Sequence, residues 1–146
     1  MKAKHCMAFA KTKIVCHGAR ATRIGEKLLR NVWKYLNEAE LDISRNDRLE
    51  MFNLLTLESI INYPDDMENM DTGCDVIIQI VYGKGQEINE AVKLSQEKLQ
   101  EIPSIMLVIN GTEQQTVNSV HISVNENEII DTFRDIFLKI AFDIET

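Results

Sequence analysis

The sequence lacks the features that define secreted, metal-binding and membrane-spanning proteins. Its three cysteines are an odd number at wide spacings, which argues against a disulfide framework and favours a reducing cytoplasm. The three histidines are equally scattered, so no metal site is predicted. The longest apolar runs are far short of the roughly 20 residues that a membrane span needs, and no apolar secretory segment follows the basic N-terminus. We expect a cytoplasmic chain with no membrane partner, no metal and no cofactor.

The chain also lacks an excess of positive charge. Its 16 lysines and arginines face 23 aspartates and glutamates, which gives a net charge of −7. Because phosphate contacts need a basic surface, no nucleic-acid partner is expected. With only two prolines, no repeat and no linker, the 146 residues are expected to form a single α/β domain, 1–146. The apolar share of 45% is that of an ordinary globular protein.

Two nearly all-apolar runs predict the centre of a parallel sheet. Asp75–Tyr82 and Ser104–Ile109 are rich in β-branched residues, as strands are when helices cover both of their faces. A shorter alternating run, Val120–Val124, predicts a further strand. The first strand is either Cys6–Ala10 or Ile14–Cys16, and the sequence leaves this choice open.

Apolar residues at helical spacing separate these strands. They follow Arg23 and Gly85 and recur near the end of the chain, and another helix is predicted from Asn46 or Asp47 to just before Pro64. The alternation of strands and helices predicts a three-layer α/β sandwich. Its sheet is expected to be mostly parallel and Rossmann- or flavodoxin-like.

Ligands of such folds bind beyond the carboxyl ends of the strands, where the strand order reverses. The turns 18–23 and 83–87 are expected at this edge of the sheet. Gly18, Gly83 and Gly85 would let the backbone approach a ligand closely. Asn110 follows the next strand at the same edge, so these four residues are candidate substrate-binding residues.

Glu87 is the candidate catalytic residue of this edge. It follows a buried strand and opens a helix, where a carboxylate can act as a nucleophile or a general base. Its position has a second explanation, because an acidic residue in the first turn interacts favourably with the helix dipole.

Arg20 and Arg23 begin the first predicted helix and are candidate phosphate ligands. Backbone N–H groups at a helix start attract anions, and arginine binds phosphate through two hydrogen bonds. Two solvated arginines are the alternative. The surrounding sequence has neither the P-loop spacing nor a GxGxxG, so no dinucleotide-binding fingerprint is present.

The second half of the chain combines several features in one order. An acidic pair, Asp65 and Asp66, precedes the strand 75–81, and a glycine-containing turn then leads to Glu87-Ile88 and Ala91. The next strand follows Ile102-Pro103. Over residues 65–142 this order resembles the nucleoside 2-deoxyribosyltransferase-like family of nucleoside transferases and nucleotide N-glycosidases. Residues 14–20 are loosely similar to the first strand and substrate turn of that family.

The resemblance implies cleavage or transfer of an N-glycosidic bond in a nucleoside or nucleotide. Glu87 would attack the anomeric carbon of the sugar, with Asp66, or alternatively Asp65, as its partner. Arg20 and Arg23 would bind a phosphate. The resemblance also implies a homodimer.

Two other functions fit the same expected fold. A non-catalytic α/β module would bind a nucleotide or a protein partner. A domain of the Toll/interleukin-1 receptor type shares the ground plan and a glutamate after a central strand, and its catalytic members cleave NAD. Fold alone does not choose among these functions.

Overall fold

The computed structural model describes residues 9–38, 43–111 and 119–143. Within them the strands form one parallel sheet in the order β2-β1-β3-β4-β5, and the helices lie on its two faces. The expected three-layer α/β fold with a flavodoxin-like sheet is confirmed. The strands are β1 (Thr12–His17), β2 (Leu55–Ile60), β3 (Val76–Tyr82), β4 (Ser104–Ile109) and β5 (Ser119–Val124). The helices are α1 (Ala19–Glu38), α2 (Arg45–Asn53), α3 (Asp65–Glu68), α4 (Gln86–Glu97) and α5 (Ile129–Asp143), and a 3-10 turn (Glu126–Glu128) precedes the last.

Both faces of the central strands are buried, which explains why their sequences are almost continuously apolar. On one face, α1 and α5 cover the strands through a cluster that includes Ile14, Ile80, Leu28 and Phe133. On the other face, Met67 of α3 and Leu94 of α4 pack with the alternate strand residues Val15 and Ile77, and α4 also packs on Met106 of β4. Neither layer is stable without the sheet, because each helix buries only one apolar side.

The predicted helix from Asn46 to the region of Pro64 is wrong in its second half. The helix α2 ends at Asn53, and β2 runs parallel to β1 with Leu55 opposite Thr12. Pairing with β1 overrides the local helical spacing, since it buries Leu55 on one face. On the opposite face it places the carboxylate of Glu58 2.7 Å from Nζ of Lys13.

The structure also decides the identity of the first strand. Ile14–Cys16 lies within β1, whereas Phe9 and Ala10 precede it without joining the sheet. The remaining residues of the alternative, 6–8, lie outside the described residues.

The strand order reverses between β1 and β3. From β1 the chain continues to β2 on one side of the sheet, whereas β3 leads to β4 and β5 on the other. In sheets of this order the crevice at the reversal is the usual ligand site. Gly18, Gly85 and Asn110 all follow strands at this carboxyl edge.

Candidate functional site

Glu87 lies at the crevice where the strand order reverses. It is the second residue of α4, and its side chain is half-buried. A Cβ atom added to Gly18 would lie 3.5 Å from Oε1 of Glu87, and one added to Gly85 would lie 3.1 Å from Oε2. The structure therefore brings Gly18, Gly85 and Glu87 together, with the carboxylate packed against both glycines.

Both of these glycines adopt backbone conformations that other residues rarely tolerate. The φ angle is +93° at Gly18 and +99° at Gly85. Gly85 is also the N-cap residue, directly before the first residue of α4. The two turns thus need glycine for their own geometry, and the Glu87 carboxylate packs against the positions where other residues would carry a Cβ atom.

A buried polar network lies on the same face of the sheet, beneath α4. His17, the last residue of β1, is 2% exposed, and its Nε2 lies 2.7 Å from Oε1 of Gln79 in β3. Nε2 of Gln79 donates to Oγ of Ser95 at 2.7 Å and to Oγ of Ser104 at 3.4 Å. Ser95 in turn donates to the carbonyl of Ala91 at 3.1 Å. His17 is not among the site residues predicted from the sequence, although a glutamine inside an otherwise apolar strand signals a buried polar partner.

Burial lowers the pKa of His17 to about 4, although the hydrogen bond to Gln79 and the negative charge of Glu87 act in the opposite direction. The ring is therefore neutral at physiological pH. Burial raises the pKa of the neighbouring Cys16 thiol to about 12, so Cys16 is not a thiolate nucleophile at neutral pH. Burial and the charge of Glu87 raise the pKa of Glu90, one turn further along α4.

Arg20 extends across the sheet edge toward the turn before α5. Its guanidinium lies 4.1 Å from the ring centre of Tyr82 and donates to Oε1 of Glu126 at 3.1 Å. The Tyr82 hydroxyl donates to the same oxygen at 2.6 Å. Burial and the hydrogen bond to Glu126 raise the pKa of Tyr82 to about 12. Arg20 is thus matched by a carboxylate, whereas Arg23 is exposed on α1.

Asp66 stabilises the loop that follows β2. Its Oδ2 accepts hydrogen bonds from the backbone N–H groups of Ile61 at 2.9 Å and Asn62 at 2.7 Å, and these bonds lower its pKa. This loop follows the strand next to β1, at the same edge of the sheet as Glu87. The role of Asp66 as a partner of Glu87 stays a prediction, since its described hydrogen bonds go to the loop.

Gly83 has a packing role. A Cβ atom there would lie 2.3 Å from Cα of Gly111, so two glycines let the loops after β3 and β4 cross closely. Close backbone packing therefore explains Gly83 without a ligand.

Asn110 lines an open cavity of about 420 Å³ at the carboxyl ends of β4 and β5. Its φ of 54° lies in the left-handed region, which asparagine tolerates better than most residues. The wall combines the amides of Asn110 and Asn125 with Lys27 and the apolar side chains of Ile24 and Ile129. The cavity therefore offers both hydrogen-bonding groups and apolar surface.

Within residues 9–38, 43–111 and 119–143, no cluster of three or more histidine, cysteine or acidic side chains could hold a metal ion. None of the helices described there is both long and apolar enough to cross a bilayer.

Comparison with protein-family models, curated proteins and solved structures gives no match to this chain. Its function must therefore be argued from the geometry.

Proposed function

We propose that this protein cleaves or transfers the N-glycosidic bond of nucleosides or nucleotides, with Glu87 as the nucleophile. The observation that carries the proposal is the position of the Glu87 carboxylate, which lies between Gly18 and Gly85 at the reversal of strand order. A half-buried carboxylate at this edge of the sheet would contact the anomeric carbon of a sugar bound there. The sequence resemblance described above supports the same role for this residue.

The reaction has two steps. A carboxylate oxygen of Glu87 attacks the anomeric carbon, and the bond to the base breaks with its electron pair leaving on the base nitrogen, which takes up a proton. Water, or a second base in a transfer reaction, then attacks the same carbon and passes its proton to solvent. The bond between this carbon and Glu87 breaks, and its electron pair returns to the carboxylate. The two glycines contribute by admitting the carboxylate between their turns, since a side chain at Gly85 would crowd it.

The remaining candidates take supporting roles in this proposal. The cavity beside Asn110 would receive the base or the rest of the ligand through amide and apolar contacts. Arg23 would contact the phosphate of a nucleotide, and Arg20 would do so after exchanging Glu126 for the phosphate. We place the protein in the cytoplasm, as a homodimer that needs no cofactor.

A non-catalytic binding module is the second candidate, and one observation favours it. Trp33 and Leu49 are 36% and 37% exposed where α1 meets α2. Trp33 packs on Phe52 with ring centres 4.9 Å apart, and these side chains border an open apolar cavity. Exposed apolar patches of this kind often mark sites of protein association.

The test is base release by the purified protein from nucleosides, nucleoside monophosphates and NAD, followed by chromatography. We expect release by the wild type and a loss of at least ~1,000-fold in Glu87→Gln, the scale seen when a nucleophile is removed. Glu90→Gln is the matched control, because it removes a neighbouring carboxylate of the same helix. Release of nicotinamide alone would favour NAD cleavage. No release from any substrate by folded protein would favour the binding module.

A further inference from the structure

The hydrogen bonds around Gln79 determine where the proton of His17 lies. Ser95 donates its own hydrogen to Ala91, so it accepts from Nε2 of Gln79. The opposite end of the amide, Oε1, therefore faces His17 and must accept from Nε2–H of the ring. A neutral imidazole has one N–H, so Nδ1 of His17 carries a lone pair.

This lone pair is buried without a partner. Nδ1 of His17 has no hydrogen bond within the part of the chain that the structure describes, and the residue is 2% exposed. Buried acceptors are nearly always satisfied in proteins, so an unsatisfied one needs an explanation. A ligand that donates a hydrogen bond to Nδ1 would supply this explanation.

The ring lies next to the proposed nucleophile. Gly18 follows His17 directly, and the open side of Gly18 faces the Glu87 side chain. The negative charge of Glu87 also acts on the His17 ring, where it favours the protonated form. Where β1 meets α4, a carboxylate and a buried imidazole lone pair therefore lie close together, and both are hydrogen-bond acceptors. An anion such as phosphate would be repelled there, whereas a hydroxyl group can donate.

We propose that Nδ1 of His17 accepts a hydrogen bond from a hydroxyl of the sugar whose anomeric carbon Glu87 attacks. His17 is then a substrate-binding residue, and Gln79 positions it by fixing the ring tautomer. The junction of β1 and α4 holds the neutral sugar, and any phosphate of the substrate lies elsewhere. This inference rests on the proposed function for its choice of a sugar.

Nitrogen NMR of the His17 ring in Glu87→Gln tests the inference, since this variant can hold an uncleaved nucleoside. The free protein should show a proton on Nε2 and none on Nδ1. Adenosine, thymidine and deoxyadenosine are the probes, with inorganic phosphate as the control anion. We expect at least one nucleoside to shift the Nδ1 resonance in the direction of a hydrogen-bonded nitrogen, and we expect phosphate to leave it unchanged. Analogues that lack single sugar hydroxyls identify the donor by losing the shift.

Two substitutions separate the acceptor from the contact with Gln79. In His17→Asn the side-chain oxygen is separated from Cβ by the same number of bonds as Nδ1 of histidine. This variant therefore keeps an acceptor near the position of Nδ1. The amide nitrogen of His17→Gln matches Nε2 instead, so this variant keeps the donor to Gln79 and loses the acceptor. We expect His17→Gln to bind the nucleoside about fivefold to tenfold more weakly, the effect of one neutral hydrogen bond, and His17→Asn to bind more tightly than His17→Gln.

The outcomes distinguish this inference from the proposed function. Base release by the wild type together with an unmoved Nδ1 resonance would overturn the inference and leave the function standing. A nucleoside-induced shift without base release would overturn the function and support the binding role of His17. A proton on Nδ1 in the free protein, or an equal response to phosphate, would overturn the inference directly. The resonance is measured with His17 intact, so the test does not depend on the His17 variants folding.

Discussion

Acidification should destabilise this protein through His17, and the size of the effect follows from its burial. The folded-state pKa of about 4 lies below the ordinary value of 6.5 because burial disfavours the charged ring. The unfolded chain therefore binds the proton more readily than the folded one. The stabilisation is complete above about pH 6.5 and is lost as the pH falls toward 4. Each tenfold difference in proton affinity is worth about 1.4 kcal/mol, so the full loss is about 3 kcal/mol.

Urea unfolding at a series of pH values from about 7.5 to about 4 measures this effect. The matched control is His17→Gln, which retains a donor for Gln79 but has no titratable ring. The other titratable groups should contribute equally to the pH dependence of the unfolding free energy in both proteins. These groups include His121, whose pKa is also lowered by burial. The difference between the two unfolding free energies should therefore change by about 3 kcal/mol across the range. Parallel pH profiles for the two proteins would show that His17 is not a buried neutral histidine.

Two further predictions concern the packing around the site. Gly25→Ala should lower the free energy of unfolding by about 1–3 kcal/mol, because its Cβ would lie 2.4 Å from Sγ of Cys16 and 2.7 Å from Leu57. A urea titration in which this variant is as stable as the wild type would contradict the close contact. Asp66→Asn should keep the melting temperature near that of the wild type, since an amide oxygen can still accept from the loop after β2, whereas Asp66→Ala should lower it. Equal losses in the two Asp66 variants would contradict the loop role.

The sequence predicted the parts of the fold that depend on local pattern. The nearly continuous, β-branched apolar runs of β3 and β4 are typical of strands buried on both faces, and the structure confirms them as such. The strand β2 was missed because the spacing of Leu49, Phe52 and Leu55 matches a helix. What makes 55–60 a strand is its pairing with β1, more than 40 residues away, as the register of Thr12 with Leu55 shows. Such a nonlocal contact is not visible in a local window.

The candidate site likewise has one part that could be predicted from the sequence and one part that depends on a nonlocal contact. The meeting of Gly18, Gly85 and Glu87 could be anticipated, since parallel strands end at one edge and ligands bind where the strand order reverses. The pairing of Arg20 with Glu126 could not, because 106 positions separate the two residues and exposed charges carry no pattern that selects a partner.

The most direct measurement of the central claim is the mass of the peptide that contains Glu87 after a reaction with a nucleoside is quenched in acid. We expect a peptide heavier by one sugar residue, with the sugar attached at Glu87. The adduct should be absent from Glu87→Gln and present in Glu90→Gln. Base release without an adduct, at an undiminished rate in Glu87→Gln, would contradict the claim that Glu87 is the nucleophile.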